Sequence, residues 1–144
     1  IQKKQTEDGI TKAQKLLITW MISDDRLFEE IKKWVSISDF TNELYRTVVE
    51  MLYKQKEQGN IKPAEIISHF ADSDKQGEIA SLFHAELKQV EKKEELEKAL
   101  TETIMKVKEH SYNVQIDEMD KNDLIAWQKI LQEKSKLQKL HISL

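Results

Sequence analysis

Apolar side chains recur at intervals of three and four along most of this chain, the spacing that lines one face of an α-helix. Ala13, Leu16, Leu17 and Trp20 predict a first helix with a one-sided stripe ending near Ile22. Thr11 is its expected N-cap, with Gln14 at the reciprocal capping-box position. Ser23-Asp24-Asp25 breaks the pattern and starts a second helix, which turns Leu27, Phe28, Ile31 and Trp34 or Val35 inward. Both aspartates then fall in the first turn, where the helix dipole favours them. After the break Ser36-Ile37-Ser38-Asp39, a third helix is expected from about Phe40 to Gln58 on Phe40, Leu44, Val48, Met51 and Leu52. Tyr45, Val49 and Tyr53 widen that face, which predicts a helix central to a bundle. Gly59 is the expected stop, Pro63 suits the first turn of a short helix with Ile66, Ile67 and Phe70, and Ser73 with Gln76 opens a fifth with Ile79, Leu82, Phe83 and Leu87.

From Glu91 the apolar face narrows. Leu96, Leu100, Thr103, Val107, His110 and Val114, with Ile104 beside them, read as a seam along one long helix. Neither Gly nor Pro occurs after Gly77. Asp117-Glu118-Met119-Asp120 interrupts the pattern, and Asp120 is the expected cap of a last helix from Asn122 to about His141. Two helices around a short acidic turn make an αα-hairpin. The predicted fold is all-α: a five- or six-helix bundle followed by a long helix and a projecting C-terminal helical hairpin. The expected divisions are a linker remnant (1–10), a bundle (11–105) and a hairpin (106–144), with the long helix shared. The Ile at position 1 predicts a piece of a longer protein.

Composition narrows the function. The charged fraction, 34%, is too high for membrane spans, and one Pro with three Gly suits an all-α chain. The absence of Cys excludes disulfides and thiolate metal sites. The opening residues show no basic segment followed by an apolar one, so they are not expected to act as a secretory signal. The net charge of −3 is spread evenly, without the basic patch expected of a duplex-binding domain. The strongest local excess is Lys129, Lys134, Lys136 and Lys139 against Glu133, so direct nucleic-acid binding is not the expected role.

Catalytic chemistry finds little purchase. No Glu-x-x-His or His-Glu-x-x-His occurs among His69, His84, His110 and His141, so no metal or other cofactor is expected. Adjacent carboxylates such as Asp24/Asp25, Glu29/Glu30 and Glu94/Glu95 diverge on a helix, whereas acid–base work needs convergence. No phosphate loop or nucleophile elbow is present. Most aromatics sit on bundle-facing stripes. Trp127 differs, since the hairpin offers little bulk to cover it; it reads equally as an interface anchor or as a staple against Tyr112 or Val114.

Two segments carry a resemblance. Ala13-Gln-Lys-Leu-Leu-Ile-Thr-Trp-Met-Ile-Ser-Asp-Asp-Arg-Leu-Phe28 and Phe40-Thr-Asn-Glu-Leu-Tyr-Arg-Thr-Val-Val-Glu-Met-Leu-Tyr53, followed by the short Pro63–Phe70 and Ile79–Phe83 helices and the terminal hairpin, resemble the C-terminal helicase-binding domain of bacterial DNA primase (DnaG type). The likeness covers about residues 11–142. It implies a non-catalytic cytoplasmic module whose hairpin docks on the hexameric replicative helicase (DnaB type), recruits primase to the fork and modulates helicase and primer synthesis. The polymerase and zinc-binding domains would precede Ile1. Partner contact is expected from Trp127, Ile130, Leu131, Lys134, Leu137 and Leu140, with the fragment monomeric or weakly dimeric. Arg is scarce (Arg26 and Arg46), so contacts made through Arg in the family would pass to Lys or be lost. Three other readings are a helical DNA-binding module using the Lys129–Lys139 face, an N-terminal domain of the helicase itself, which has a similar bundle, and an oligomerisation arm pairing through the seam.

Overall fold

Helix boundaries in the computed structural model, which describes residues 8–85 and 92–144, follow the breaks in the pattern closely. The elements are α1 (Gly9–Ser23), α2 (Asp25–Trp34), a 3₁₀ turn (Ile37–Asp39), α3 (Glu43–Glu57), α4 (Pro63–Ser68), α5 (Ser73–His84), α6 (Lys93–Glu118), α7 (Leu124–Lys136) and a second 3₁₀ turn (Leu137–Lys139). The described residues hold seven α-helices and no strand, so the fold is all-α as predicted. The expectations for Leu87 and for a helix start near Glu91 lie outside the described residues.

Several caps differ from the sequence reading, each for a local reason. Asp8 caps α1: its carboxylate accepts from the Thr11 N–H at 2.7 Å, and that backbone bond holds its pKa below 3.8. The helix therefore begins before Thr11. Gln14 is no capping partner; it is buried, donating to Thr41 Oγ1 at 2.9 Å and accepting from the Asn42 N–H at 3.1 Å. One amide thus fixes α1 to the start of α3. Asn42 in turn caps α3 through the Tyr45 N–H at 3.1 Å, so α3 begins later than predicted and Phe40 is buried from the loop before it. Asp72, not Ser73, caps α5, and Gln76 donates to the Phe70 carbonyl. Gly59 ends α3 at φ 131°, a conformation L side chains rarely adopt, and the Gln55 side chain closes that loop on Lys62 N at 2.8 Å.

The central helix is α1, where the sequence pointed to α3. It packs on α2, α3, α5 and α6. Its residues Leu17 to Met21 are buried without interruption, Thr19 included, so its second half is enclosed all round and no one-sided stripe exists there. Around it one core joins Phe28, Ile31, Phe40, Tyr45, Val49, Leu52, Ile66, Ile79, Leu82, Leu100, Ile104 and Val107. On α6 the buried line is Leu100, Ile104, Val107 and Ser111, rotated from the predicted seam; Thr103, His110 and Val114 are half-buried.

The root of the hairpin is polar. Asp39 is 2% exposed. Its carboxylate accepts from Lys108 Nζ at 2.9 Å, Ser111 Oγ at 2.8 Å, the Ser36 N–H at 2.9 Å and Ser36 Oγ at 3.1 Å. Lys108 also lies 4.9 Å from the Tyr112 ring centroid. Burial would pull the Lys108 ammonium down, but the hydrogen bond and charge of Asp39, aided by Tyr112, outweigh it and raise its pKa. Nearby, burial pushes the Tyr53 phenol up, with the Asp39 charge adding to it, while its hydroxyl donates to the Val35 carbonyl at 2.8 Å.

Removing one partner of such a pair leaves an uncompensated charge, whereas removing both leaves none. Asp39→Ala should therefore lose about 3 kcal/mol or more, and Asp39→Asn/Lys108→Met clearly less than the sum of the single changes, measured by urea denaturation. The pH dependence has a defined sign. Lys108 and Tyr53 both have raised pKa values in the fold, so their contributions are intact below the unfolded values and fade as pH rises through the folded ones. Stability should fall in alkali, beginning near the ordinary tyrosine and lysine values of 10.0 and 10.5, and Lys108→Met with Tyr53→Phe should flatten that fall.

Candidate partner-docking surface

The hairpin turn is set by two aspartates. Asp120 accepts from the Asn122 N–H at 2.9 Å, and Asp123 accepts from the Ala126 N–H at 3.0 Å. Asp123 is therefore the cap where Asp120 was expected, and α7 starts at Leu124. Beneath α7 lies a second small core of Tyr112, Ile130 and Leu137, with Ile116 and Met119 against it. Beyond the 3₁₀ turn the chain returns to the bundle. Leu140 and Ile142 join the main core, and the Ile142 N–H donates to Thr101 Oγ1 at 3.2 Å. The hairpin is thus rooted by its own tail, and residues 117–125 are exposed apart from half-buried Met119.

The six sequence-predicted contact residues separate into two groups. Ile130, Leu137 and Leu140 are buried in the free chain, so they hold the hairpin in place and offer no surface to a partner. Their burial follows from Tyr112 and Ile116 on α6, which needed apolar cover, and from the returning tail. Lys134 is half-buried and donates to Asn113 Oδ1 at 3.2 Å, which fixes α7 to α6. Trp127 and Leu131 remain 37% and 43% exposed. Trp127 lies outside the core of Tyr112 and lines a cleft of about 620 Å³ with Ile116, Asp117, Lys121 and Leu124.

Two exposed residues were not singled out from sequence as contacts: Leu124 at 68% and Ile125 at 81%. At 100° per residue, Leu124, Trp127 and Leu131 form one stripe at i, i+3 and i+7, while Ile125 points 100° or more away from it. The signal for them was present. Burying Ile130 and Leu137 directs that face of α7 inward, and Leu124 and Ile125 then point away from it. Scattered exposed apolar residues are ordinary on proteins; a contiguous helical stripe beside a cleft is not.

A second cleft, of about 410 Å³, opens at the hairpin root between Trp34, Asp39, Lys108, Tyr112, Glu133 and Lys136. Its buried charges already satisfy one another. Among the described residues no three His, Asp or Glu side chains gather where a metal ion could be held. Three of the paired carboxylates do structural work: Asp24 caps α2, Asp25 meets Lys56, and Glu30 pairs with Lys33 at 2.8 Å. No helix among the described residues is long and apolar enough to cross a membrane. No protein-family model matches this chain, and no curated protein matches it in sequence.

The inner and outer faces of α7 should respond oppositely to truncation. Ile130→Ala or Leu137→Ala should destabilise the fold by about 2–5 kcal/mol, because each leaves a cavity in a small core. Leu124→Ser and Leu131→Ser should stay within about 0.5 kcal/mol of the parent in the same urea titration.

Proposed function

We propose that this chain is a non-catalytic docking module that binds a helical protein partner through the outer face of α7. The observation that carries this is the exposed stripe of Leu124, Trp127 and Leu131, held on a hairpin whose inner face is already occupied. Such a stripe beside a cleft suits helix–groove recognition, in which apolar side chains one helical turn apart meet the apolar face of a partner helix. Together with the primase-like order of elements, it supports the hexameric replicative helicase as the partner. In that reading the module acts in the cytoplasm as the C-terminal part of a bacterial DNA primase, whose catalytic domain lies elsewhere in the protein, and it recruits primase to the fork and modulates both enzymes.

Nucleic acid is a weaker fit for this face. Asp117, Glu118, Asp120 and Asp123 are exposed at the turn beside the stripe, where they would repel phosphate. The lysines that remain, Lys129, Lys136 and Lys139, are exposed farther along.

Co-elution of the chain with the replicative helicase tests the reading. Trp127→Ala and Leu131→Ser should each weaken binding by about 2 kcal/mol, roughly thirtyfold, with folding unchanged. Undiminished affinity in both variants, or no complex with the parent chain, would refute the helicase assignment.

A further inference from the structure

The charges around the stripe say what kind of helix fits it. The cleft between the end of α6 and the start of α7 is apolar along Ile116, Leu124 and Trp127. Of its lining residues Asp117 and Lys121 are charged, and the exposed segment beside it adds Glu118, Asp120 and Asp123, so the neighbourhood is acidic on balance. Asp120 and Asp123 spend one carboxylate oxygen each on backbone N–H groups, and among the described residues none of the four forms an ion pair with a cation. A second copy of this chain is a poor occupant. Two-fold pairing would set this rim against itself, and like charges placed together are costly.

We propose that the cleft takes an amphipathic helix from a different protein, with an apolar stripe edged by Lys or Arg that come to rest against Asp117, Glu118 and Asp120. This deepens the docking reading above and rests on it, but it does not depend on the partner being a helicase. The apolar stripe provides the buried contact, while the acidic rim selects the partner's charge and steers its approach.

The test uses the full chain and two synthetic helical peptides of about five turns, with the same Leu/Ile stripe edged by Lys in one and by Glu in the other. Backbone and indole NMR shifts of the chain report where each binds. The Lys-edged peptide should perturb Ile116, Leu124 and Trp127 and bind at least tenfold tighter than the Glu-edged one at low salt, a preference that shrinks as salt rises. Asp117→Lys/Glu118→Lys, two exposed changes away from both turn caps, should reverse the preference. Equal binding of the two peptides, shifts centred away from residues 116–131, or an unreversed preference would overturn the proposal. A light-scattering dimer that disappears in Leu124→Ser would overturn it as well, in favour of a second copy. Failure of helicase co-elution alongside the expected peptide results would remove only the helicase assignment.

Discussion

One buried carboxylate decides how the two parts of this molecule meet. Asp39 sits in the turn before α3, and its oxygens gather Ser36 from its own turn and Lys108 and Ser111 from α6. Burying a charge is tolerable only when it is paired and its hydrogen-bonding capacity is filled, and here both conditions hold. The requirement is geometric as well as energetic. Four donors must converge on one group, so the rotation of α6 about its axis is fixed at the point where it leaves the core. Close packing of Leu100, Ile104 and Val107 in the core constrains that rotation as well. The polar joint adds a directional requirement where α6 leaves the core, and so helps set the direction in which its last turns point.

From this joint the hairpin inherits its orientation. α6 spans 26 residues, about 39 Å, and only its first part is covered by the bundle. Its last turns are covered by α7 instead, through Tyr112, Ile130 and Leu137. Because α7 is tied at its far end by Leu140 and Ile142 in the main core, it cannot swing freely away from α6. The outer stripe is therefore presented by a helix joined to α6 through the turn at one end and held by the returning tail at the other. Bracing matters for binding, because a surface ordered before contact loses less conformational entropy on association. A single helix with the same side chains would have to fold and bind together.

The sequence made most of the helices legible because their breaks are chemically explicit: Ser23-Asp24-Asp25, Gly59, Pro63 and the acidic turn all fall where helices end or begin. It was less informative where one polar residue serves a distant partner. Gln14 has the look of a capping residue but reaches Thr41 and Asn42, and Asp39 has the look of a turn residue but finds partners on α6 far along the chain. Neither contact leaves a local pattern. The same limit applies to the docking face. The periodicity of α7 identifies two apolar strips, Ile130–Leu137 and Leu124–Trp127–Leu131, yet periodicity does not say which faces inward. Tyr112 and Ile116 settle it by covering the first. Trp127, weighed from sequence as anchor or staple, is left partly open by that choice.

The division of α7 also explains why its two ends differ in charge. The last turns of the helix carry Lys134 and Lys136, close to the C-terminal end of the dipole, where cations are favoured. The turn before its first residue carries aspartates, two of which close backbone N–H groups that would otherwise be unpaired. Local helix chemistry thus accounts for Asp120 and Asp123 without any partner. It does not account for Asp117 and Glu118. They sit at the C-terminal end of α6, where the dipole disfavours negative charge, and among the described residues no cation pairs with them. Carboxylates placed against the helix field and beside an apolar stripe lower local stability a little in the free chain. Basic side chains brought in by a docked helix would offset that loss, so these two positions, more than the capping aspartates, carry the charge argument for the partner.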